Sequence, residues 1–317
     1  MLLRKTINGC TVRAPAKLNL CLEVLGRRSD GYHALRTVMC PLRWFDTVSV
    51  NRTDDPETIR FDLSDPHGHA PSGNENLVVA ALEQLRDEAG VQQGASVRLV
   101  KRIPSRAGLG GGSSDAAAAL VAANQAWGLG FDYARLQPIA ARLGSDVPFF
   151  LQAILARCGM LTPSPSTMPG AALCTSRGEE VQGIASTTGT PCVVVKPAFG
   201  LSTPKVFAEA RAEDFALNQG NADRLAEALA GNGAQGHAKL ESLRRSMGNA
   251  LQAAAARLEP RINAIVELFD RLPVVAHQLS GSGSAYFAIC RSHRHATELA
   301  SVLRGRGVGQ AYAVATC

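Results

Sequence analysis

From Val12 to Val24 the chain alternates. Val12, Ala14, Ala16, Leu18, Leu20, Leu22 and Val24 share one parity, and Lys17, Asn19, Cys21 and Glu23 share the other. A period of two predicts a long strand with one buried face and one mixed face. Arg27–Gly31 reads as a turn, and shorter strands are predicted at Thr47–Arg52 and Thr58–Leu63. Asn76 is a suitable cap for a helix over Leu77–Ala89, where Leu77, Val78, Ala81, Leu82 and Leu85 fall on one face. Ser96–Ile103 is strand-like, the loop Pro104–Gly112 follows, and Ser113–Trp127 is an alanine-rich stretch of high helix propensity. Arg135–Leu143 again has helical spacing, with Gly144 to end it. Leu161–Gly170, rich in Pro, Ser and Thr, has no period and is expected as a surface loop.

A fresh pattern begins at Cys192. The strand Cys-Val-Val-Val-Lys-Pro leads to Ser202-Thr203-Pro204, a cap followed by a proline that suits the first helical turn. Helices are expected over about residues 205–272, then a strand or turn at Val274–Leu279, a strand at Ala285–Cys290, a helix at His295–Arg304 and a last strand at Val308–Ala315. Strands and helices mix without regular alternation, which favours an α+β fold over a doubly wound sheet. At 317 residues two domains are the natural expectation, 1–190 and 191–317, with an insertion near 152–170 in the first.

Composition narrows the class. With 46% hydrophobic and 19% charged residues the chain is ordinary globular material. No apolar segment follows the basic start as a signal peptide requires, and the most apolar run, Val147–Ala156, is too short for a bilayer. None of the eight cysteines forms a C-x-x-C pair, so zinc-ribbon and thioredoxin readings lack support, and a reduced, cytoplasmic protein is expected. The net charge of +6 suits an anionic ligand. With 5% aromatics and no basic stripe among them, neither nucleic acid nor membrane is an expected partner.

The chemistry concentrates in Pro104-Ser-Arg-Ala-Gly-Leu-Gly-Gly-Gly-Ser-Ser114. Four glycines in five positions let a ligand approach backbone N–H groups closely, and the helix start adds unpaired amides and about half a positive charge. Strand, glycine loop and helix together describe an anion site. No Gly-Lys-Ser/Thr follows, so this is not a Walker A loop. The dinucleotide fingerprint fails because Ser113 stands where its third glycine belongs. Lys17, with Asn19 on its face, reads as a structural strand lysine or a candidate cation, and Asp146, just before the apolar Val147-Pro148-Phe149-Phe150-Leu151, as a turn aspartate or a candidate base. Tyr32 and His33 could stack on and read a base, or simply anchor the loop. Ser280-Gly-Ser-Gly283 is a second glycine turn.

Taken in order, Pro15-Ala-Lys-Leu-Asn-Leu20, Asp30-Gly-Tyr-His33, Ile103–Ser114, Gly144-Ser-Asp-Val-Pro148 and Leu279-Ser-Gly-Ser-Gly283 resemble the GHMP kinase superfamily. Within it, the Pro-Ala-Lys-Leu-Asn-Leu and Asp-Gly-Tyr-His segments are similar to the branch that phosphorylates a cytidine diphosphate-linked methylerythritol. The resemblance implies an N-terminal α+β ATP-binding domain and a C-terminal ferredoxin-like domain. It implies ATP with Mg²⁺, a small-molecule substrate, and a monomer or homodimer. By position, Lys17 and Asp146 match the catalytic pair, and Pro104, Ser105, Arg106, Ala107, Gly108, Leu109, Gly110, Gly111, Gly112, Ser113 and Ser114 match the ATP loop. Asn19, Tyr32, His33, Thr203 and Phe207 match the substrate side, His33 reading the cytosine.

Three features depart from the family pattern. Ser105-Arg106 replaces a small or apolar residue followed by glycine, and Arg106 could contact phosphate or point to solvent. About fifteen extra residues lie between Leu151 and Ala172, and Asn249-Ala-Leu-Gln252 replaces Asn-Asp-Leu-Glu. The implied activity is transfer of the γ-phosphoryl of ATP to the 2-hydroxyl of the substrate, in isoprenoid synthesis that bypasses mevalonate. The alternatives are a homoserine- or mevalonate-type kinase, against which Asp30-Gly-Tyr-His33 argues, and a non-catalytic nucleotide-binding relative.

Overall fold

The computed structural model describes residues 2–55, 58–66, 68, 70–162, 164, 170–185, 189–216, 219–230 and 237–317. The first half of the chain forms β1 (Leu3–Lys5), β2 (Gly9–Arg27), β3 (His33–Thr53), β4 (Ile59–Ser64), α1 (Leu77–Ala89), β5 (Gly94–Val100), α2 (Gly111–Ala126), α3 (Tyr133–Leu143) and α4 (Val147–Arg157). The second half forms β6 (Ala171–Thr175), β7 (Glu180–Ile184), β8 (Pro191–Lys196), α5 (Thr203–Glu209), α6 (Ala212–Ala216), α7 (Asn221–Ala230), α8 (His237–Ser246) and β9 (Gly248–Asn249). It closes with α9 (Gln252–Leu258), α10 (Arg261–Asp270), β10 (Ala276–Leu279), β11 (Tyr286–Ile289), α11 (His293–Gly305) and β12 (Gln310–Ala315). The α+β expectation is borne out. Most of the Leu161–Gly170 loop lies outside the described residues. Among the described residues no helix is long and apolar enough to cross a membrane.

The chain divides into two compact units. The first comprises 1–16, 44–105 and 110–169, and the second 17–43, 106–109 and 170–317. In the first, the strand order is β1-β2-β3-β5-β4, with β4 parallel to β5, and with β1–β2 and β3–β5 antiparallel. Helices α1 to α4 pack on one another. Helix α1 spans the predicted residues, and the Asn76 side chain accepts a hydrogen bond from the Val78 N–H as a cap should. The apolar run after Asp146 is α4, with Val147 to Leu155 all buried.

In the second unit the latter part of β2 pairs in parallel with β9, and the start of β3 pairs with β6, which pairs with β7. A separate antiparallel sheet has the order β10-β11-β8-β12. Val193, Val195, Leu279, Tyr286 and Ala288 meet Ala254, Ala255, Ile262, Ile265, Phe269, Leu299 and Leu303 in one core. The strand β3 runs from His33 to Thr53, far longer than the predicted Thr47–Arg52. Pro41 within it has no N–H to give a ladder, which hides the strand from pattern reading, yet its carbonyl accepts from Cys317 N–H at 2.8 Å.

The mixed face expected of β2 is corrected by the structure. Lys17, Asn19, Cys21 and Glu23 are all buried along with their apolar neighbours. Such polar groups are tolerated only when paired. Glu23 accepts from the Ala222 N–H at 2.8 Å and so satisfies an amide at the start of α7. Phe269 is fully buried, 5.0 Å from the Tyr286 ring. Phe269→Ala should therefore cost about 3–5 kcal/mol of unfolding free energy, whereas the exposed Val302→Ala should stay within about 0.5 kcal/mol, both measured by urea denaturation.

Candidate functional site

The glycine loop is held carbonyl by carbonyl. Ala107 O accepts from the Ala285 N–H at 2.9 Å, Leu109 O from the Lys17 N–H at 3.0 Å, and Gly108 O from the Ser280 hydroxyl at 3.0 Å. Gly108 has φ +72°, and a Cβ there would fall onto the Ser280 carbonyl oxygen. Glycine is what allows this approach of backbone to backbone. Arg106 also has a left-handed φ of 53° and is exposed. The helix α2 begins at Gly111, two residues before the predicted start, with Gly110 as its N-cap and no side-chain cap bond. Without a capping side chain the first amides of α2 remain available to an anion. Gly112 is exposed, Ser113 half-buried, and Ser114 buried with its hydroxyl unpartnered among the described residues.

Lys17 and Asn19 lie together in the second unit. The Lys17 ammonium donates to Asn19 Oδ1, Asn19 Nδ2 donates to the Thr37 hydroxyl at 2.8 Å, and Thr37 donates to the Cys21 carbonyl at 2.6 Å. Lys17 is 4% exposed and Asn19 2%. The second glycine turn closes on this pair. A Cβ at Gly281 would lie 3.2 Å from Asn19 Oδ1, 3.3 Å from Lys17 Nζ and 3.4 Å from Gly108 O. Asn249 Nδ2 holds that turn by donating to Leu279 O at 2.9 Å and Gly281 O at 2.8 Å. A desolvated ammonium fixed by a short polar relay at a glycine junction can stabilise negative charge that develops beside it.

His33 and Phe207 are brought together, their rings stacked at 5.1 Å and 23° between planes, with Phe215 edge-on at 6.2 Å. Burial, and then the positive charge of Arg27, lower the His33 pKa from its ordinary 6.5, which keeps the imidazole neutral near pH 7. Thr203, at the start of α5, shares a 2.7 Å hydrogen bond with the Ser282 hydroxyl. Tyr32 is 56% exposed, with the Arg177 guanidinium 4.9 Å over its ring. Its amide donates to Asp30 at 3.1 Å, which shapes the turn ahead of His33. Asp146 belongs to the first unit. It is half-buried at the N-cap of α4 and makes no side-chain cap bond.

Several residues around these groups gave no sequence signal. Thr37, Gln278 and Phe215 act through contacts far apart in the chain, as when Gln278 Nε2 donates to the Asn19 carbonyl at 2.8 Å. Lys101, Asp46 and Asp115 form a buried ion cluster in the first unit. A lysine at a strand end and an aspartate inside an alanine-rich helix are both unremarkable in isolation. Asp115 was visible only as a charge in a helix that is otherwise buried.

Two family models match, the GHMP kinases N terminal domain over residues 76–153 and the GHMP kinases C terminal domain over 216–309. The chain is 36% identical over 294 residues to a 4-diphosphocytidyl-2-C-methyl-D-erythritol kinase from Pelotomaculum thermopropionicum, covering 93% of both. A crystal structure of 4-(cytidine 5'-diphospho)-2C-methyl-D-erythritol kinase is similar with a TM-score of 0.74 and 32% identity, over 96% of this chain and 98% of that one. A homoserine kinase from Cytophaga hutchinsonii has the same fold, with a TM-score of 0.72 at 18% identity over 99% of this chain and 96% of that one.

The His33 environment carries a pH signature. A folded-state pKa below the unfolded value means that protonation favours the unfolded chain. Its contribution to stability is present above pH 6.5 and lost as the pH falls through the lower folded value. An NMR titration of the His33 imidazole should give a value below 6.5, and Arg27→Gln should move it part of the way back. A value above 6.5 would contradict the assignment of causes.

Proposed function

The chain belongs to the 4-diphosphocytidyl-2-C-methyl-D-erythritol kinases of the GHMP kinase family, and from that membership we propose the roles of its residues in moving the γ-phosphoryl of ATP to the 2-hydroxyl of that substrate. The observation that carries the reading is the junction of Lys17 with the glycine loop. Its amide bonds Leu109 O, and its ammonium lies at the turn that also meets Gly108. The product belongs to an isoprenoid route that does not pass through mevalonate.

Phosphoryl transfer asks a protein for positioning and charge stabilisation. Residues Pro104–Ser114 would hold the polyphosphate, the amides opening α2 turned to its oxygens. The substrate oxygen attacks the γ-phosphorus, the bond to the bridging oxygen of ADP breaks, and Asp146 accepts the hydroxyl proton. Lys17, held by Asn19, would stabilise the charge on the transferring group. His33, neutral and stacked on Phe207, would read the cytosine edge, with Tyr32 and Thr203 completing the substrate side.

Mg²⁺ bound to ATP takes phosphate oxygens and water as ligands and neutralises their charge, a mode that needs no all-protein cage. Among the described residues no cluster of three or more His, Cys, Asp or Glu would hold a metal by itself. The cysteines, with no C-x-x-C pair among them, suit a reducing compartment and a cytoplasmic enzyme, monomeric or homodimeric.

A coupled assay should show ADP release that depends on the diphosphocytidyl substrate and is absent with homoserine or mevalonate. Asp146→Ala should retain ATP binding by calorimetry while kcat falls by roughly 10²–10⁴-fold. Near-normal turnover in that variant would remove Asp146 from the mechanism.

A further inference from the structure

Lys101 follows the last residue of β5 and is buried, 2% exposed, in the first unit. Its ammonium donates to Asp46 Oδ2 at 2.5 Å and to Asp115 Oδ2 at 2.6 Å, and both carboxylates are equally buried. The far oxygen of Asp46 accepts the backbone N–H groups of Arg102 and of Ile103, the latter at 2.8 Å. These two amides are the last before Pro104 opens the glycine loop. Asp115 stands on α2 one helical turn beyond Gly111, so it shares that glycine's face. The face is where Lys101 sits. A Cβ at Gly111 would lie 3.2 Å from Lys101 Nζ and 3.2 Å from the Ile103 side chain.

One ammonium thus ties the entry of the glycine loop, through Asp46 and its two amides, to the exit, through Asp115 on the first turns of α2. We propose that Lys101, Asp46 and Asp115 are positioning residues that clamp the two ends of the glycine loop and hold the first amides of α2 in register for the polyphosphate of ATP. This rests on the reading of that loop as the nucleotide site. Packing alone does not account for the cluster. Taking three charges out of water costs several kcal/mol per ion, and apolar residues of similar volume are often as stable or more so. What an apolar replacement lacks is directed bonds from one cation to both ends of a loop, which remove freedom the nucleotide would otherwise have to remove on binding.

The electrostatics agree. Burial works against the Lys101 ammonium, but the two carboxylates outweigh it and raise its pKa above the ordinary lysine value. Burial drives Asp115 well above the usual carboxylate range, and Lys101 opposes that. Asp115 Oδ1 has no partner among the described residues, while its Oδ2 is held by Lys101 beside the Asp46 carboxyl, which secures the turn carrying it. Lys101→Met alone would strand two buried carboxylates. The test therefore uses Asp115→Asn, which keeps an acceptor for the lysine, and the double variant Lys101→Met/Asp115→Leu, which removes the pair and leaves Asp46 its amides.

In both variants KM for ATP should rise about tenfold, while kcat at saturating ATP and KM for the diphosphocytidyl substrate stay within about threefold. Far-UV circular dichroism and the thermal midpoint identify folded protein. A folded double variant with unchanged KM for ATP overturns the clamp, as does a lower kcat with KM for ATP unmoved. Calorimetric titration of the wild-type chain with ATP separates the two readings. Wild-type binding with unaltered variants removes the clamp alone, and no wild-type binding removes the nucleotide loop and the clamp together.

Discussion

Three consecutive carbonyls, those of Ala107, Gly108 and Leu109, are taken by Ala285, Ser280 and Lys17, and much of the site depends on that. A loop of four glycines in five residues would be expensive to order by its own bonds, since glycine loses the most conformational freedom on folding. Here the order is imposed from outside, by a strand on one side and a second glycine turn on the other. The approach is close enough that Gly108 has no room for a side chain, and a Cβ at Gly281 would crowd Asn19, Lys17 and Gly108. The same contacts bring the Lys17 ammonium to the loop, so the shape of the loop and the position of its cation are one constraint.

Buried polar groups recur wherever the chain prepares a site, and each is tied to backbone or to an opposite charge. Lys17, Asn19 and Thr37 form a relay that ends on the Cys21 carbonyl, and Glu23 serves the amides opening α7. Lys101 is held by two carboxylates, one of which also takes two amides. Unpaired, any of these would cost several kcal/mol, so their arrangement is tightly specified. Such networks hold side chains more narrowly than apolar packing does, and this suits phosphoryl transfer, where placement of charge is most of the catalysis.

In the proposed mechanism, substrate choice would draw on a different kind of contact. His33 lies against Phe207 and Phe215, which come from separate helices far along the chain, while Tyr32 is exposed under the Arg177 guanidinium. An imidazole kept neutral by burial can both accept and donate, the pattern needed at the edge of a pyrimidine. The charged half of the proposed reaction and the proposed recognition of the base would thus use different physics.

Local chemistry was enough to announce α1 with its Asn76 cap, the long strand through Lys17, the glycine loop and the helix after it. Each depends on periodicity, capping or φ freedom within a few residues. Motif resemblance added Lys17, Asp146 and His33 as the residues to watch. Sequence could not show that both faces of β2 are buried, because burial of the polar face depends on what packs over it from β9, α7 and the Ser280–Gly283 turn. Nor could it extend β3 through Pro41, whose missing donor looks like a break until Cys317 bonds its carbonyl. The glycine loop itself divides the same way. Its composition proposes an anion site, but the partners of its carbonyls, the cap at Gly110 and the lysine beneath Gly111 come from distant or individually unmarked residues, and only tertiary contacts could place them.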